Sequence, residues 1–158
     1  MKIGVISDTH LTRPVDFSAL MNGAFKDVEL IVHAGDLTEL SVLDGLAGKK
    51  VMAVCGNMDS PGVRRQLPAQ RVFEAAGFKI GLIHGWGGPQ GIEERIAQEF
   101  EGVNCIVYGH THAPVHLKRD GILFFNPGTF SGIGGSGSKT VGVLELGDTI
   151  RGQIFACE

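Results

Sequence analysis

The sequence predicts a mixed α/β fold, and two patterns support this prediction. Five short apolar runs between residues 2 and 108 each end in polar residues, and helical segments separate several of them. Closer to the carboxyl terminus, further apolar runs are joined by tight turns. Alternation of strands and helices is typical of parallel pairing, whereas tight turns are typical of antiparallel pairing. We therefore expect a parallel first half and an antiparallel second half.

The five apolar runs are predicted to be buried strands, because they are short, continuous and bounded by polar or glycine residues. They comprise residues 2–6, 29–32, 51–54, 79–83 and 105–108. Each run delivers candidate ligands at its carboxyl end. In chain order these are Asp8 and His10, His33 and Asp36, Asn57, His84, and His110 and His112.

Three helices are expected between these strands. Asp16 is placed to cap the first, in which Leu20, Met21, Ala24 and Phe25 form one apolar stripe. A shorter helix is predicted over residues 38–46. The third, over residues 92–100, turns its isoleucines inward and its charged residues to water.

Two hairpins are predicted in the second half. Asp120-Gly121 turns residues 115–118 back into 122–125, and Gly147-Asp148 turns 141–146 back into 150–155. The glycine- and serine-rich stretch 132–139 is predicted to be a mobile loop. It is not a phosphate-binding P-loop, because Ser138 separates Gly137 from Lys139.

Length and charge limit the classes of protein to consider. With 158 residues and 43% hydrophobic content, residues 1–158 are expected to form one domain. The net charge of −3 makes a stable nucleic-acid partner unexpected. No signal-like or membrane-spanning apolar run is present, so a cytoplasmic location without membrane attachment is expected. The three cysteines contain no Cys-x-x-Cys pair and suggest neither a disulfide framework nor a thiolate metal site.

The candidate ligands favour a transition-metal site. Carboxyl ends of neighbouring strands lie along one edge of a sheet, so residues far apart in sequence are expected to meet there. Two Asp, one Asn and several His residues offer oxygen and nitrogen without sulfur. Such a set suits Mn, Fe, Zn, Co or Ni better than Mg or Ca.

In their order, the motifs resemble those of a known family. Asp8-x-His10, Gly35-Asp36, Gly56-Asn57, His84 and Gly109-His110-x-His112 match the calcineurin-like metallophosphoesterases. In its length and its Asn57-x-Asp59 form the chain is similar to their small YfcE-like phosphodiesterase subgroup. The resemblance implies a four-layer α/β/β/α sandwich of two mixed sheets, with the metals at one rim.

The resemblance also implies a ligand set for two divalent ions. One ion would be held by Asp8, His10, Asp36 and His112, and the other by Asp36, Asn57, His84 and His110, with Asp36 bridging. Mn is expected first, with Fe, Ni, Zn and Co as alternatives. A bridging hydroxide would attack phosphorus in line, and the neutral amide of Asn57 would also contact the phosphate.

The chain departs from the family pattern at Met58. Many members place a His there that assists the leaving group, and a thioether cannot donate that proton. No general acid is therefore assigned, and activated or cyclic phosphodiesters are the expected substrates. His33 is a further candidate for orienting a ligand or contacting phosphate, although a satisfied structural role suits it equally.

Other residues have both a functional and a structural interpretation. Arg64 and Arg65 would suit a substrate phosphate but also an ordinary solvated surface. Trp86 would either line the substrate pocket or simply pack against neighbouring residues. His116 is expected to be exposed to solvent. The segment Asn126-Pro127-Gly128-Thr129 is expected to be structural near the metals.

The predicted function is metal-dependent hydrolysis of a small phosphodiester, with nucleotide-derived esters among the candidate substrates. The main rival is a non-catalytic protein-interaction scaffold of the same fold, like the retromer subunit that resembles this family. A sensor that binds a nucleotide without cleaving it is a third class. A homo-oligomer is compatible with the sequence.

Overall fold

The computed structural model describes residues 1–13, 15–134 and 137–157. The described residues form ten strands: β1 (Lys2–Ile6), β2 (Leu30–His33), β3 (Lys50–Ala53), β4 (Gln70–Ala75), β5 (Phe78–Ile83), β6 (Cys105–Val107), β7 (Val115–Arg119), β8 (Ile122–Asn126), β9 (Lys139–Leu146) and β10 (Ile150–Cys157). They also form four helices: α1 (Ser18–Asn22), α2 (Ser41–Asp44), α3 (Pro61–Gln66) and α4 (Ile92–Ala97).

The strands form two mixed sheets of five strands each. The first has the order β10-β9-β1-β2-β3, with β1, β2 and β3 parallel and β9 and β10 antiparallel. The second has the order β4-β5-β6-β8-β7, with β5, β6 and β8 parallel and the two edge strands antiparallel. Each sheet therefore contains a parallel trio.

Three clusters of buried side chains separate four layers. Ile3 and Val5 of β1 pack with residues of the second sheet in the central core. The alternate β1 residue Ile6 faces the helices outside the first sheet. Outside the second sheet, α4 buries Ile92 and Ile96. The α/β/β/α sandwich is thus confirmed, and burial on both faces explains why the central strands are continuous apolar runs.

The predicted helices exist but are shorter than their apolar stripes. The first covers Ser18–Asn22 and is followed by Gly23, while Asp16 Oδ1 accepts a hydrogen bond from Ser18 N at 2.8 Å. The second shrinks to Ser41–Asp44 and the third to Ile92–Ala97. Helices this short depend on packing, so neighbouring apolar residues contribute to the core from turns instead.

Two elements were not predicted. Residues 58–67, for which no regular element was predicted, contain α3, where Ser60 Oγ caps Val63 N and Pro61 occupies the first turn. β4 is an edge strand with alternating exposure that turns through Ala76 and Gly77 into β5. This turn lacks the Asn-Gly or Asp-Gly pair that most strongly signals a hairpin.

The antiparallel prediction for the second half is only partly right. Both predicted hairpins form, as β7–β8 and β9–β10. However, β6 pairs in parallel with β8, the strand after next in the chain. The intervening strand β7 lies at the sheet edge and pairs with β8. The predicted mobile loop 132–139 includes Gly135 and Ser136, which lie outside the described residues. In the described part of the chain, no helix has the length and apolar character needed to cross a membrane.

Candidate metal centre

The loops that follow the parallel strands of both sheets meet at one rim of the sandwich. Asp8 N donates to Gly35 O at 3.0 Å within the first sheet, and Gly109 N donates to His84 O at 3.1 Å within the second. Across the sheets, His110 N donates to Asp8 Oδ2 at 3.1 Å. The rim brings together all the residues that sequence analysis proposed as ligands: Asp8, His10, Asp36, Asn57, His84, His110 and His112.

Most of these residues have an unusual backbone conformation. The φ angle is positive at Asp8 (53°), His10 (47°), Asp36 (55°), His110 (70°) and His112 (60°). Positive φ is uncommon outside glycine and persists where the surrounding structure enforces it. Here His10 N donates to Asp36 O at 3.1 Å, and Thr129 Oγ1 donates to Asp8 O at 3.0 Å. The strained loops are therefore held on more than one side.

Two glycines allow the loops to approach each other closely. A Cβ atom at Gly56 would lie 2.2 Å from Asp36 Oδ1, and one at Gly109 would lie 2.0 Å from Ser7 Oγ. Neither distance is compatible with a side chain. The Gly-Asn and Gly-His pairs of the sequence thus have a spatial cause, since the residue before each ligand must leave room for another part of the site.

Asp8 lies at the centre of the cluster and is fully buried. Its Oδ2 accepts hydrogen bonds from Ser7 Oγ at 2.6 Å and from His110 N. Its Oδ1 is buried with no hydrogen-bond partner among the described residues. That oxygen lies 3.1 Å from His112 Nε2 and 3.7 Å from His10 Nε2. A buried carboxylate oxygen left in this way fits a metal ligand, because an ion would supply the missing partner.

Three of the histidines are oriented by backbone carbonyl groups. His84 Nδ1 lies 2.7 Å from Ala34 O, His110 Nε2 lies 2.8 Å from Gly87 O, and His112 Nδ1 contacts Ile133 O. A carbonyl oxygen can only accept, so each of these nitrogens carries the proton. The other nitrogen of each ring then presents a lone pair to the cluster, the arrangement typical of metal-binding histidines.

The ligand atoms form two overlapping groups. Asp8, His10 and His112 have ligand atoms within 4.8 Å of one another, as do Asp8, Asp36 and His84. Asp36 Oδ2 lies 3.3 Å from His84 Nε2 and 3.8 Å from His10 Nε2. Both carboxylates therefore reach both groups, whereas the family pattern implies only Asp36 as the bridge.

Asn57 joins the remaining histidine to the cluster. Its Oδ1 lies 3.1 Å from His84 Nε2 and 3.1 Å from His110 Nδ1. Because His84 and His110 hold their protons on the opposite nitrogens, these contacts bring lone pairs together. An ion between them would turn this unfavourable approach into coordination.

The electrostatics of the site keep both carboxyl groups ionised at neutral pH. Burial alone would raise the pKa of Asp8, but the close imidazoles of His10, His112 and His84, whose protonated forms would pair with the carboxylate, hold it well below its usual range. The pKa of Asp36 is also lowered, since contacts with His84 and Met58 N outweigh burial. The contact with Asp8 raises the pKa of His112. Burial alone would lower the pKa of His84, but the contact with Asp36 outweighs it and the pKa is raised.

His33 lies behind the cluster and is fully buried. Its Nδ1 accepts from Gly35 N at 3.1 Å, and its Nε2 lies 3.2 Å from Thr9 Oγ1. Burial lowers the pKa of this imidazole to about 3, so it is neutral at physiological pH. Both ring nitrogens have protein partners, which favours the structural alternative stated for this residue.

Asp59 organises the site from outside the ligand set, and sequence reasoning did not assign it a role. Its Oδ2 accepts from Asp36 N at 3.1 Å and Gly56 N at 2.7 Å, and its Oδ1 accepts from Thr38 N at 2.6 Å. One buried carboxyl group thus ties the loop of Asp36 to the loop of Asn57. The only sequence signal was the Asn57-x-Asp59 spacing.

The segment Asn126–Thr129 supports the rim, as expected. Asn126 Nδ2 donates to Gly109 O at 2.9 Å, and its Oδ1 accepts from Gly128 N at 2.9 Å. These bonds fix the Gly109-His110 loop. Thr129 supplies the bond to Asp8 O described above.

The remaining candidates lie outside the ligand set. Arg64 donates through Nε to Asp59 O at 3.0 Å and through Nη2 to Asn57 O, so it braces the ligand loop. Arg65 and His116 are exposed. Met58 is 61% exposed beside Asn57, and its backbone N donates to Asp36 Oδ1 at 2.8 Å.

Residues 1–149 match the family model described as the calcineurin-like phosphoesterase superfamily domain. The chain belongs to this superfamily. It is 40% identical over 135 residues to a protein of Methanothermobacter thermautotrophicus named probable metallophosphoesterase, covering 82% of this chain and 77% of the relative. It is 28% identical to the phosphodiesterase YfcE of Escherichia coli, with 92% of this chain and 88% of the relative covered.

Solved structures give the same picture of the fold. An archaeal phosphodiesterase superposes with a TM-score of 0.81 and 25% identity, covering 99% of this chain and 100% of that protein. Vps29 of Entamoeba histolytica, solved with zinc, superposes with a TM-score of 0.75 at 22% identity over 99% of both chains. The latter likeness shows the fold alone.

Proposed function

We propose that this calcineurin-like phosphoesterase is a metal-dependent phosphodiesterase with two divalent ions at the sandwich rim. One observation carries the proposal: Asp8 Oδ1 is buried without a hydrogen bond from any described residue, and it lies near imidazole nitrogens of His112 and His84, whose rings are oriented by backbone carbonyls. The family match and the phosphodiesterase relatives support hydrolysis of a phosphoester.

The proposed ligands fall into two groups around the carboxylates. His10 and His112 would join Asp8 in one group, while Asn57, His84 and His110 would form the other, with Asp36 reaching both. Bound divalent ions would supply Lewis acidity and activate water at neutral pH. The mixture of nitrogen and oxygen ligands suits Mn, Fe, Ni, Zn or Co. The family resemblance makes Mn the first candidate among them.

The charge balance of the residues favours an anionic substrate. Asp8 and Asp36 contribute two negative charges. Two divalent ions would outweigh them and leave the site with a net positive charge. Asn57 adds a ligand oxygen without adding charge, and its amide N–H groups are free to donate to a phosphate oxygen. A small phosphodiester therefore fits the site, and the overall charge of −3 gives no reason to expect a nucleic-acid duplex.

The leaving group receives no proton from the residue after Asn57. Met58 has no dissociable proton and stands 61% exposed at the opening. Substrates with good leaving groups should consequently react fastest. Rates on an alkyl phosphomonoester that equal those on an aryl diester would contradict this preference.

Hydrolysis of bis(p-nitrophenyl) phosphate with added Mn²⁺ tests the proposal. The unmodified protein should release p-nitrophenolate, and Asp36→Asn and His112→Ala should lose at least about 100-fold in kcat/KM, because each loses a proposed ligand. His116→Ala is the matched control, since His116 is exposed outside the site. Equal activity in all four proteins would show that the catalyst lies elsewhere.

A non-catalytic scaffold is the second candidate, favoured by the likeness of the fold to Vps29. Under this alternative the protein would be inert with every divalent metal tested while remaining folded. The presence of the whole predicted ligand set at one rim supports the enzyme instead, because a scaffold does not need it.

A further inference from the structure

A cleft of about 340 Å³ opens directly beside the metal centre, on the side of the second ligand group. Asn57 and His84 line both the cleft and the cluster. A substrate whose phosphate sits at the proposed metals would therefore extend a substituent into this cleft. The volume lies within the range of pockets that hold small organic ligands.

Trp86 forms part of the cleft and is 44% exposed. Its exposure does not come from a loose loop, because Arg95 holds the main chain around it. The guanidinium donates to Trp86 O at 2.9 Å, to Gln90 O at 2.8 Å and also to Gly88 O. The indole is thus presented on a fixed backbone, so little main-chain freedom remains to be lost on binding.

The rest of the lining combines apolar and hydrogen-bonding groups. Ile83 and Cys55 are apolar, whereas Gln70 and Glu99 offer an amide and a carboxylate. A carboxylate disfavours a second anionic group in the cleft. A neutral, flat group with a polar edge suits this lining, and an indole provides the stacking face for it.

We propose that this cleft is the nucleoside subsite of the enzyme, with a nucleobase stacked on Trp86 and the attached phosphodiester at the metal centre. This inference rests on the proposed function and names its substrate class, a nucleoside 5′-phosphodiester. Arg64 stands at the junction, bonded to Asn57 O, and adds positive charge near the expected phosphate.

The first test uses fluorescence and does not depend on turnover. The sequence contains a single tryptophan, so intrinsic tryptophan emission reports on Trp86 alone. In zinc-loaded protein, thymidine 5′-monophosphate should quench this emission saturably, because a stacked base contacts the indole. Methyl phosphate, which carries the same phosphate without a base, should not. Equal responses to both compounds, or none to either, would overturn the nucleoside subsite.

The second test compares two substrates that release the same leaving group, the p-nitrophenyl esters of thymidine 5′-phosphate and of methyl phosphate. The ratio of their kcat/KM values should favour the thymidine ester, and Trp86→Ala should lower this ratio roughly 5- to 100-fold. Trp86→Phe should retain most of the preference, because a flat aromatic face remains.

The outcomes separate this inference from the proposed function. Hydrolysis of both esters with a ratio that Trp86→Ala does not change would overturn the subsite and leave the phosphodiesterase standing. Failure of the unmodified protein to hydrolyse either ester would overturn the proposed function, and the subsite with it.

Discussion

The two groups of proposed ligands differ in how the protein holds them. In the first group, comprising Asp8, His10 and His112, the carboxylate is fully buried and the histidine side chains are 15% and 19% exposed. In the second group, comprising Asn57, His84 and His110, His84 is buried but Asn57 is exposed. We call these the inner and outer groups.

The anchors of the two groups also differ. In the inner group, main-chain bonds join the loops after β1 and β2, and Thr129 secures Asp8 from behind. In the outer group, His110 depends on Gly87 O, which belongs to a surface loop held by Arg95. His112 of the inner group also contacts a carbonyl of an exposed loop, that of Ile133, but the full burial of Asp8 should make the inner group the more rigid of the two. The outer group should be easier to perturb separately.

Asp8→Asn should abolish binding at both groups, because Asp8 Oδ1 belongs to both sets of neighbouring ligand atoms. Zinc affinity by isothermal titration calorimetry should fall by more than about 100-fold, beyond the loss typical of changes outside the ligand set. Asp16→Asn is the control, since Asp16 is an exposed carboxylate before α1 and outside the ligand set. Retention of both binding steps in Asp8→Asn would contradict a shared central carboxylate.

Asp59→Ala should weaken the connection between the two groups. It leaves the buried N–H groups of Asp36 and Gly56, and that of Thr38, without their acceptor. In urea unfolding of the metal-free protein, the free energy of unfolding should fall by roughly 3 kcal/mol, as is typical when several buried donors lose their acceptor. Asp59→Asn keeps one oxygen acceptor and should lose less. An equal loss in both variants would count against the hydrogen-bond explanation.

Arg95→Ala should affect the outer group only. Without the guanidinium, the loop of Gly87 loses its bonds and His110 loses its fixed orientation. The weaker of two zinc-binding steps should lose about 10- to 100-fold in affinity, as expected for a residue that orients a ligand. Arg119→Ala removes a surface pair with Glu94 and is the matched control. Equal weakening of both steps would show that the two groups do not respond separately.

The acid sensitivity of the metal-free protein should report on His33 behind the inner group. The pKa of His33 is about 3 in the folded protein, below its value in the unfolded chain. Its contribution to the free energy of unfolding is therefore complete above pH 6.5 and is lost as pH falls towards 3. Between pH 6.0 and 4.5 the unfolding free energy should fall by about 2 kcal/mol, since one proton corresponds to about 1.4 kcal/mol per pH unit.

Other shifted groups act outside this window. His84 and His112 have raised pKa values and lose their contribution only above pH 6.5, whereas the lowered carboxyl groups lose theirs below about pH 4. His33→Asn should therefore flatten the pH dependence measured by urea unfolding, while His116→Asn should keep it. An unchanged slope in His33→Asn would assign the effect to another group.

Much of the fold followed from patterns that are local in sequence. Continuous apolar runs identified the central strands because both of their faces are buried. Helix lengths were overestimated, since apolar residues such as Phe25 join the core from a turn. The edge strand β4 and the parallel pairing of β6 with β8 escaped prediction, because pairing partners are chosen in three dimensions.

The ligand types, their order and their position after strand ends can be read from the sequence, because ordered Asp, Asn, Gly and His motifs reflect chemistry that each loop must supply. Which atoms face one another depends on the folding of distant segments against each other. Folding leaves Asp8 Oδ1 without a hydrogen bond from the described residues, gives three imidazoles their carbonyl acceptors and brings Asp59 and Arg95 to the support of the rim. Such contacts join residues far apart in the chain, as in the 102-residue separation of His110 N and Asp8 Oδ2, and no local pattern encodes them.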